Sequence, residues 1–215
     1  SITNLWLNGG GAHNNIVQRN FIGVTNQNLG VLDNNATGIL VTGPNNVIGA
    51  TGSGGTISGN TVRFNNAGGV VIRGAAATGN SVKANIMYNN GFDGFVGERM
   101  DIDLQVSSLT VGPDANDIGD ADVGPNQLQN FPIGTSLAYT DVGTGPGMLD
   151  RGAIISASLN GLPGAFRIDA YYSSGPGALG PPQRGRAEVY LGNRLVLNFN
   201  GGVITFTMPV FIPNQ

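Results

Sequence analysis

The sequence predicts an all-β chain, with a solenoid of stacked parallel coils over residues 1–140 and a small antiparallel β-sandwich over residues 150–215. Three observations carry that prediction. Glycine fills 36 of the 215 positions while only 11% are charged and 40% are hydrophobic, a composition that suits a folded chain with many tight turns and disfavours helices. In the first half, short apolar runs separated by Asn or Gly return at a fixed spacing. From Ala153 onward the pattern changes to alternation.

The spacing shows best in TISGNTVRFNNAGGVVIRG. Moved forward by 25 residues, Ile57, Asn60, Val62, Asn65, Gly69 and Val70 fall on Val82, Asn85, Met87, Asn90, Gly94 and Phe95. A more degenerate copy runs through Val17, Asn20 and Ile22 and, after an insertion rich in Asn and Gly, through Gly38, Ile39 and Val41. Residues 45–55 are out of register, so Ile48 belongs either to a partial coil or to a protruding loop. Such a period marks a solenoid. Each copy holds three apolar runs, read as three strands joined by sharp turns into a triangular coil. Asparagine tolerates left-handed backbone angles, and its amide can bond the same position one coil away, about 4.8 Å distant. The asparagines are therefore expected to turn the corners and to form ladders. A lone coil would bury about four apolar side chains, ~6–12 kcal/mol, against at least ~1 kcal/mol of backbone ordering for each of roughly 25 residues. One coil cannot stand, but a stack can.

NIVQRNFIG, GILVTGPNNVIG and TISGN, within residues 15–95, resemble the right-handed parallel β-helix repeats of large bacterial surface and secreted proteins. DIDLQVSSLTVGPDANDIGDADVGPNQLQNFP, residues 101–132, is similar to the segment closing the β-helix in that family, where a GIDL-like strand precedes an acidic loop and LQNFP. The resemblance covers about three fifths of the sequence. Beyond residue 150 the chain resembles, more weakly, the small β-sandwich that follows in the same family. The fold implied is a right-handed parallel β-helix followed by a small antiparallel β-sandwich, at an extracellular or cell-surface location.

In the second half, Phe166, Ile168, Ala170 and Tyr172 fall on one face and Arg167, Asp169 and Tyr171 on the other, as half-buried antiparallel strands require. Strands are expected near 153–160, 165–173, 187–199 and 202–211, with PGALGPPQRG as a loop and DVGTGPGMLDRG, 141–152, as the linker. In the family, further strands follow the one that FTMPV matches, whereas here the sequence stops at Gln215; nothing before SITNLWL could form the helix that commonly caps such a solenoid. Two uncovered ends lead to the expectation of a head-to-tail self-contact that grows a fibre, or else of a trimmed piece of a longer protein.

Net charge is −3, and the ten Lys and Arg form no basic stripe, which argues against a nucleic-acid partner. No apolar run reaches the roughly 18 residues of a membrane span. With no cysteine there is no thiol chemistry, Cys-based zinc site or disulfide. The acidic loop offers Asp114, Asn116, Asp117, Asp120 and Asp122 as a candidate Ca²⁺ site, since hard oxygens at alternating positions suit that ion; Asx turns explain the same residues without it. The other acids of the first half are Asp33, Asp93, Glu98, Asp101 and Asp103. The last four, with Arg99 beside them, could cluster as a polysaccharide lyase or hydrolase requires, although none of the paired-Asp, GHG or RIK-like motifs of pectin hydrolases is present. The competing expectation sets Asp101 and Asp103 on a solvated face, alternating with buried Ile102 and Leu104. His13, in GGGAHNN, has no adjacent nucleophile or orienting acid and reads as a loop residue. GGG at 9–11 lacks the Lys-Ser or Lys-Thr of a phosphate loop and reads as a turn. Trp6, Tyr171 and Tyr172 suit sugar stacking, a subunit interface or internal packing. Together these readings point to a non-catalytic extracellular structural protein that assembles with itself. A polysaccharide-active or polysaccharide-binding module and an adhesin spacer are the alternatives.

Overall fold

The computed structural model describes residues 2–26, 30–32, 34–51, 58–91, 100–140, 151–173 and 187–212. It is all-β. Ten short strands, β1 (Leu5–Leu7), β2 (Ile16–Val17), β3 (Phe21–Ile22), β4 (Ile39–Val41), β5 (Val47–Gly49), β6 (Thr61–Arg63), β7 (Val70–Arg73), β8 (Ser81–Lys83), β9 (Ile86–Tyr88) and β10 (Ile102–Gln105), visit three parallel sheets in rotation. The sheets run β1-β4-β7-β10, β2-β5-β8 and β3-β6-β9, the pattern of a parallel β-solenoid with one strand per wall per coil. Side chains alternate across each short strand, and the inward set, including Val17, Ile22, Ile39, Val41, Ile48, Val62, Val70, Ile72 and Met87, forms one continuous core. Each of these fully buried aliphatic side chains contributes about 1.5–3 kcal/mol, so the column of them, not any single coil, holds the stack.

The 25-residue offset holds at one wall and its two corners, where Val62 pairs with Met87 and Asn60 and Asn65 bond Asn85 and Asn90. It does not extend further. Val70 pairs with Ile102, 32 positions on, rather than with Phe95. Gly94 and Phe95 lie outside the described residues, as do Asp33, Asp93, Glu98, Arg99 and Ile57. Val82 pairs with Ile48, so the out-of-register stretch is the coil's second wall, β5.

The corners divide their labour in a way that the repeat pattern does not predict. The residue before a ladder asparagine has positive φ at Asn14, Arg19, Asn45, Phe64, Gly79, Ala84 and Asn89, whereas the asparagines that follow these seven do not. One residue turns and the next one bonds. At the corner between the first and second sheets, the backbone N–H and Nδ2 of Asn15 donate to Asn46 Oδ1 (3.0 and 2.8 Å), and Asn46 donates likewise to Asn80 Oδ1 (2.8 and 3.1 Å). At the next corner Asn20 donates to Asn60 Oδ1 (3.0 and 3.0 Å), and Asn60 to Asn85 Oδ1 (2.9 and 2.9 Å). At the third, Asn34 Nδ2 donates to Asn65 Oδ1 (2.7 Å), and Asn65 Nδ2 to Asn90 Oδ1 (2.8 Å). Asn46, Asn60, Asn65 and Asn85 are fully buried, which is tolerable because their amides are bonded both within and between coils.

After the solenoid come five longer strands: β11 (Ile133–Thr140), β12 (Arg151–Gly161), β13 (Gly164–Tyr172), β14 (Val189–Asn198) and β15 (Gly202–Ile212). Antiparallel sheets β11-β12-β15 and β13-β14 form a small sandwich. The four predicted strands are present. β11 is an addition to them, and Arg151 and Gly152, read as linker, belong to β12. The rest of that linker, 141–150, and PGALGPPQRG lie outside the described residues. Two apolar clusters fill the sandwich, around Ala153, Ala170, Met208 and Val210 and around Ala157, Leu159, Val196 and Phe206. β11 overhangs them. Leu137 pairs with inward Ile155 and Tyr139 with inward Ala153, yet they are 51% and 61% exposed.

Candidate functional site

Several of the chemistry-bearing residues meet where the solenoid joins the sandwich. All three ladders pass their last donors to a group outside the asparagine columns. Asn80 N–H donates to Asn126 Oδ1 (2.9 Å), and Asn126 Nδ2 returns a bond to Asn80 O (2.7 Å). Asn90 Nδ2 donates to Asp101 Oδ1 (2.7 Å). At the remaining corner, the backbone N–H of Asn85 donates to the Tyr171 hydroxyl, and that of Ala84 to Asp169 Oδ2 (2.7 Å). Tyr171 and Asp169 thus occupy the place of a next coil. Ala187 completes the closure by exchanging both backbone bonds with Met87 (2.8 and 2.9 Å), an antiparallel cap on the β9 edge.

Asp169 is held for this task. Its Oδ1 accepts from Arg167 Nε (2.7 Å), while Arg167 Nη2 and Asn193 Nδ2 donate to the Tyr190 hydroxyl (3.0 and 2.8 Å). Burial alone would lower the Arg167 pKa, but the hydrogen bond and charge of Asp169 more than reverse that. Burial, with the Asp169 charge beside it, pushes the Tyr171 phenol far above the ordinary tyrosine range, so it stays neutral. Its ring packs edge-on against Tyr190, with centroids 5.4 Å apart. Tyr171 is therefore an internal packing residue, and Tyr172 is half-buried.

The acidic loop is organised around two asparagines that its sequence does not single out. Asn130 N–H donates to Asp120 Oδ1 (2.7 Å), its Nδ2 to the Asp117 and Asn160 carbonyls (2.9 and 3.0 Å), and its Oδ1 accepts from Asp117 N–H (3.0 Å). Asn160 Nδ2 also donates to Asp117 O (3.0 Å), which ties the loop to β12. Asn116 and Phe131 exchange a reciprocal pair of bonds (2.8 and 2.9 Å). Asp114 is exposed and Asp122 half-buried. Among the described residues no group of three or more His, Cys, Asp or Glu side chains is placed to hold a metal ion. The loop's carboxylates bond its own backbone, as Asx turns do.

Burial, then the nearby charges of Asp117 and Asp122, raise the Asp120 pKa against the Asn130 bond. A raised folded-state pKa means that the folded protein holds this proton more tightly than the unfolded one. Asp120 therefore disfavours folding progressively as pH rises from its unfolded value through its folded one. Asp120→Asn keeps an acceptor for Asn130 and a residue type tolerant of φ 54°. It is expected to be at least as stable as wild type at neutral pH and to lose that part of the acid-side dependence, read as Tm against pH. If calcium occupies the loop, the same change should instead lower Tm only where calcium is present, and chelation should destabilise wild type.

On the parallel face, the expectation for β10 is reversed. Its alternation is in the stated phase, but Asp103 is 2% exposed and Ile102 37% exposed. Ile102 stacks on Val70 in the last strand of its sheet, whereas the carboxylate Oδ2 of outward-facing Asp103 accepts from Gln105 Nε2 (2.7 Å) and from Gly112 N–H (3.3 Å) in the turn folded over it. Arg73 Nε and Nη2 donate to Gln105 Oε1 (3.0 and 2.7 Å). Of the four acids considered for sugar cleavage, the two among the described residues have other partners: Asp101 ends a ladder and Asp103 anchors a turn. Trp6, on the outer face of β1, is 60% exposed. His13 lies in a loop with its ring nitrogen bonded to Asn14 (2.9 Å), and residues 9–12 form a turn closed by Ala12 N–H to Gly9 O (3.0 Å). An open cleft of about 410 Å³ is lined by Thr78, Gly79, Asn80, Asn126, Gln127 and Gln129, with no charged group in its wall. Compared with protein-family models, with curated proteins and with solved structures, the sequence and its fold find no match.

Proposed function

We propose that this protein is a non-catalytic, extracellular structural module of the right-handed β-helix type found in bacterial surface proteins, and that it joins copies of itself head to tail. The observation that carries the reading is the stack of three continuous asparagine ladders, one of which is coupled to Asp169 and Tyr171 of β13, with Ala187 bridging the β9 edge beside it. Among the strand edges that have no paired strand among the described residues are those of β1 and β2 in the first coil and the outer edge of β11. β11 is exposed throughout its eight residues, and IGTSLAYT contains no charge of the kind that blunts edge strands. Joining unlike edges gives a heterologous contact, which extends rather than closes.

Sedimentation and electron microscopy of the protein test this. Elongated multimers are expected, and Leu137→Lys with Tyr139→Lys should shift them to monomers without changing the Tm of the solenoid. A wild-type monomer at high concentration overturns the assembly. The uncharged amide wall of the cleft favours a second reading, a saccharide-binding module, because amides both donate to and accept from sugar hydroxyls. Titration of the same preparation with neutral oligosaccharides decides for it if Gln127→Ala abolishes binding.

A further inference from the structure

The sequence contains the dipeptide Asn-Gly four times, as Asn8-Gly9, Asn90-Gly91, Asn160-Gly161 and Asn200-Gly201. We infer that the fold protects three of these and leaves Asn200 as a site of spontaneous deamidation. The chemistry is the same at each. The backbone nitrogen of the glycine gives up its proton and attacks the asparagine Cγ, a new C–N bond forms, and the Cγ–Nδ2 bond breaks with ammonia as leaving group. Water then opens the resulting succinimide at either carbonyl, giving Asp or isoAsp. No oxidant or reductant is involved. Two conditions govern the rate: the glycine N–H must not be held in a hydrogen bond, and the amide must be able to rotate over the backbone.

The structure separates the four on both conditions. At Asn90 the amide donates to Val62 O (2.9 Å) and Asp101 Oδ1 (2.7 Å) and accepts from Asn65 Nδ2 (2.8 Å), while Gly91 N–H is bonded to Asn65 O (2.8 Å). At Asn160 the amide donates to Asp117 O (3.0 Å) and accepts from Gly119 N–H (3.3 Å), and both residues of the pair sit in β12 opposite Val203 and Gly202. At Asn8 the amide oxygen accepts from Thr42 Oγ1 (2.9 Å), and the same hydroxyl accepts from Gly9 N–H (2.7 Å). Asn200 differs. It is exposed, in the turn joining β14 to β15, followed by Gly201 at φ 73° and Gly202 at φ 75°, and among the described residues neither its side chain nor the Gly201 N–H has a hydrogen-bond partner. Two glycines in succession also leave this backbone the widest choice of angles for reaching the cyclic geometry. The product adds a negative charge and, in the isoAsp form, an extra backbone methylene between Phe199 and Val203, both largely exposed apolar residues. The inference does not depend on the assembly reading.

The test is to age the purified protein in warm, mildly alkaline buffer and follow the four peptides by mass spectrometry, through the mass change that replacing NH₂ by OH brings. Conversion at Asn200, to both Asp and isoAsp, is expected to be at least about tenfold faster than at Asn90 or Asn160, with Asn8 between. In a denaturing concentration of urea the four rates should converge, since the fold and not the dipeptide sets the ranking. Asn200→Gln should remove the fast phase and leave the other three sites unchanged. Equal rates in the folded protein, faster conversion at Asn90 or Asn160, or no conversion at Asn200 overturns the inference.

Discussion

Asn60→Leu is expected to destabilise the protein by about 2–4 kcal/mol, although leucine is close to asparagine in size and apolar in a buried place. Asn60 Oδ1 accepts from the N–H and Nδ2 of Asn20, and its Nδ2 donates to Val17 O (2.9 Å) and Asn85 Oδ1 (2.9 Å). The substitution removes one amide and takes bonds from Asn20 and Val17 in the coil before, each buried group left without a partner costing roughly 1–3 kcal/mol, while Asn85 Oδ1 keeps the Asn60 backbone N–H. Hydrophobic gain from the leucine, at about 1.5–3 kcal/mol, is smaller than that sum. Urea denaturation measures the difference. Asn66→Ala is the control, because Asn66 bonds Asn35 at the exposed surface (2.7 Å), and its removal should stay within about 0.5 kcal/mol. Comparable losses at both positions would mean that the ladders add little to stability.

Gly49→Ala should be at least as severe for a different reason. Gly49 has φ 105°, where an alanine is strained by about 1–2 kcal/mol. A Cβ there would also overlap the Lys83 carbonyl oxygen of the next coil and lie 2.8 Å from the Asn85 amide. Neither obstacle is a flexible side-chain tip, since the one is backbone and the other is fixed in a ladder, so relief requires the coils to part. The expected loss is about 4 kcal/mol or more, which few single substitutions reach. Gly10→Ala, with open space around the added methyl group, should be nearly neutral by the same thermal or urea measurement. A mild effect at Gly49 would show that adjacent coils can slide past one another.

Much of the solenoid was legible because its rules are local and repeated. Asn20, Asn60 and Asn85 stand at the same place in each coil, and the Asn-bounded apolar runs name the walls. What the repeat concealed is which residue turns. Arg19, Phe64 and Ala84 carry left-handed angles that nothing in their side chains announces, and the asparagine that follows each is bonded to the next coil or, at Asn85, to Tyr171. The offset from Val70 to Ile102 was misjudged because variable insertions at a corner leave the walls intact while defeating a fixed period. Asp103 was misplaced because alternation specifies which side a residue faces, not what folds over that side. The closure by Asp169 and Tyr171 could not be read at all. Ala84 and Asp169 are 85 residues apart, and their bond obeys no period. The acidic loop shows five oxygen-bearing residues at a glance but hides the roles of Asn130 and Asn160, whose lone positions outside any repeat give no reason to select them.

The amide-to-amide bonds of every ladder run in one sense, from each asparagine to the Oδ1 of the one in the following coil, although Nδ2 also donates back to a carbonyl of the coil before. Three columns of aligned amide dipoles therefore add, as peptide dipoles do along a helix, and give the rod a partially positive pole at its late end and a partially negative one at its early end. Asp101 and Asp169 place carboxylates at the positive pole, where they are best stabilised. At the late end the donors are already taken by Asn126, Asp101, Tyr171 and Asp169, whereas two early ends brought together would oppose acceptor to acceptor. That mismatch disfavours a twofold-symmetric junction through the early ladder ends.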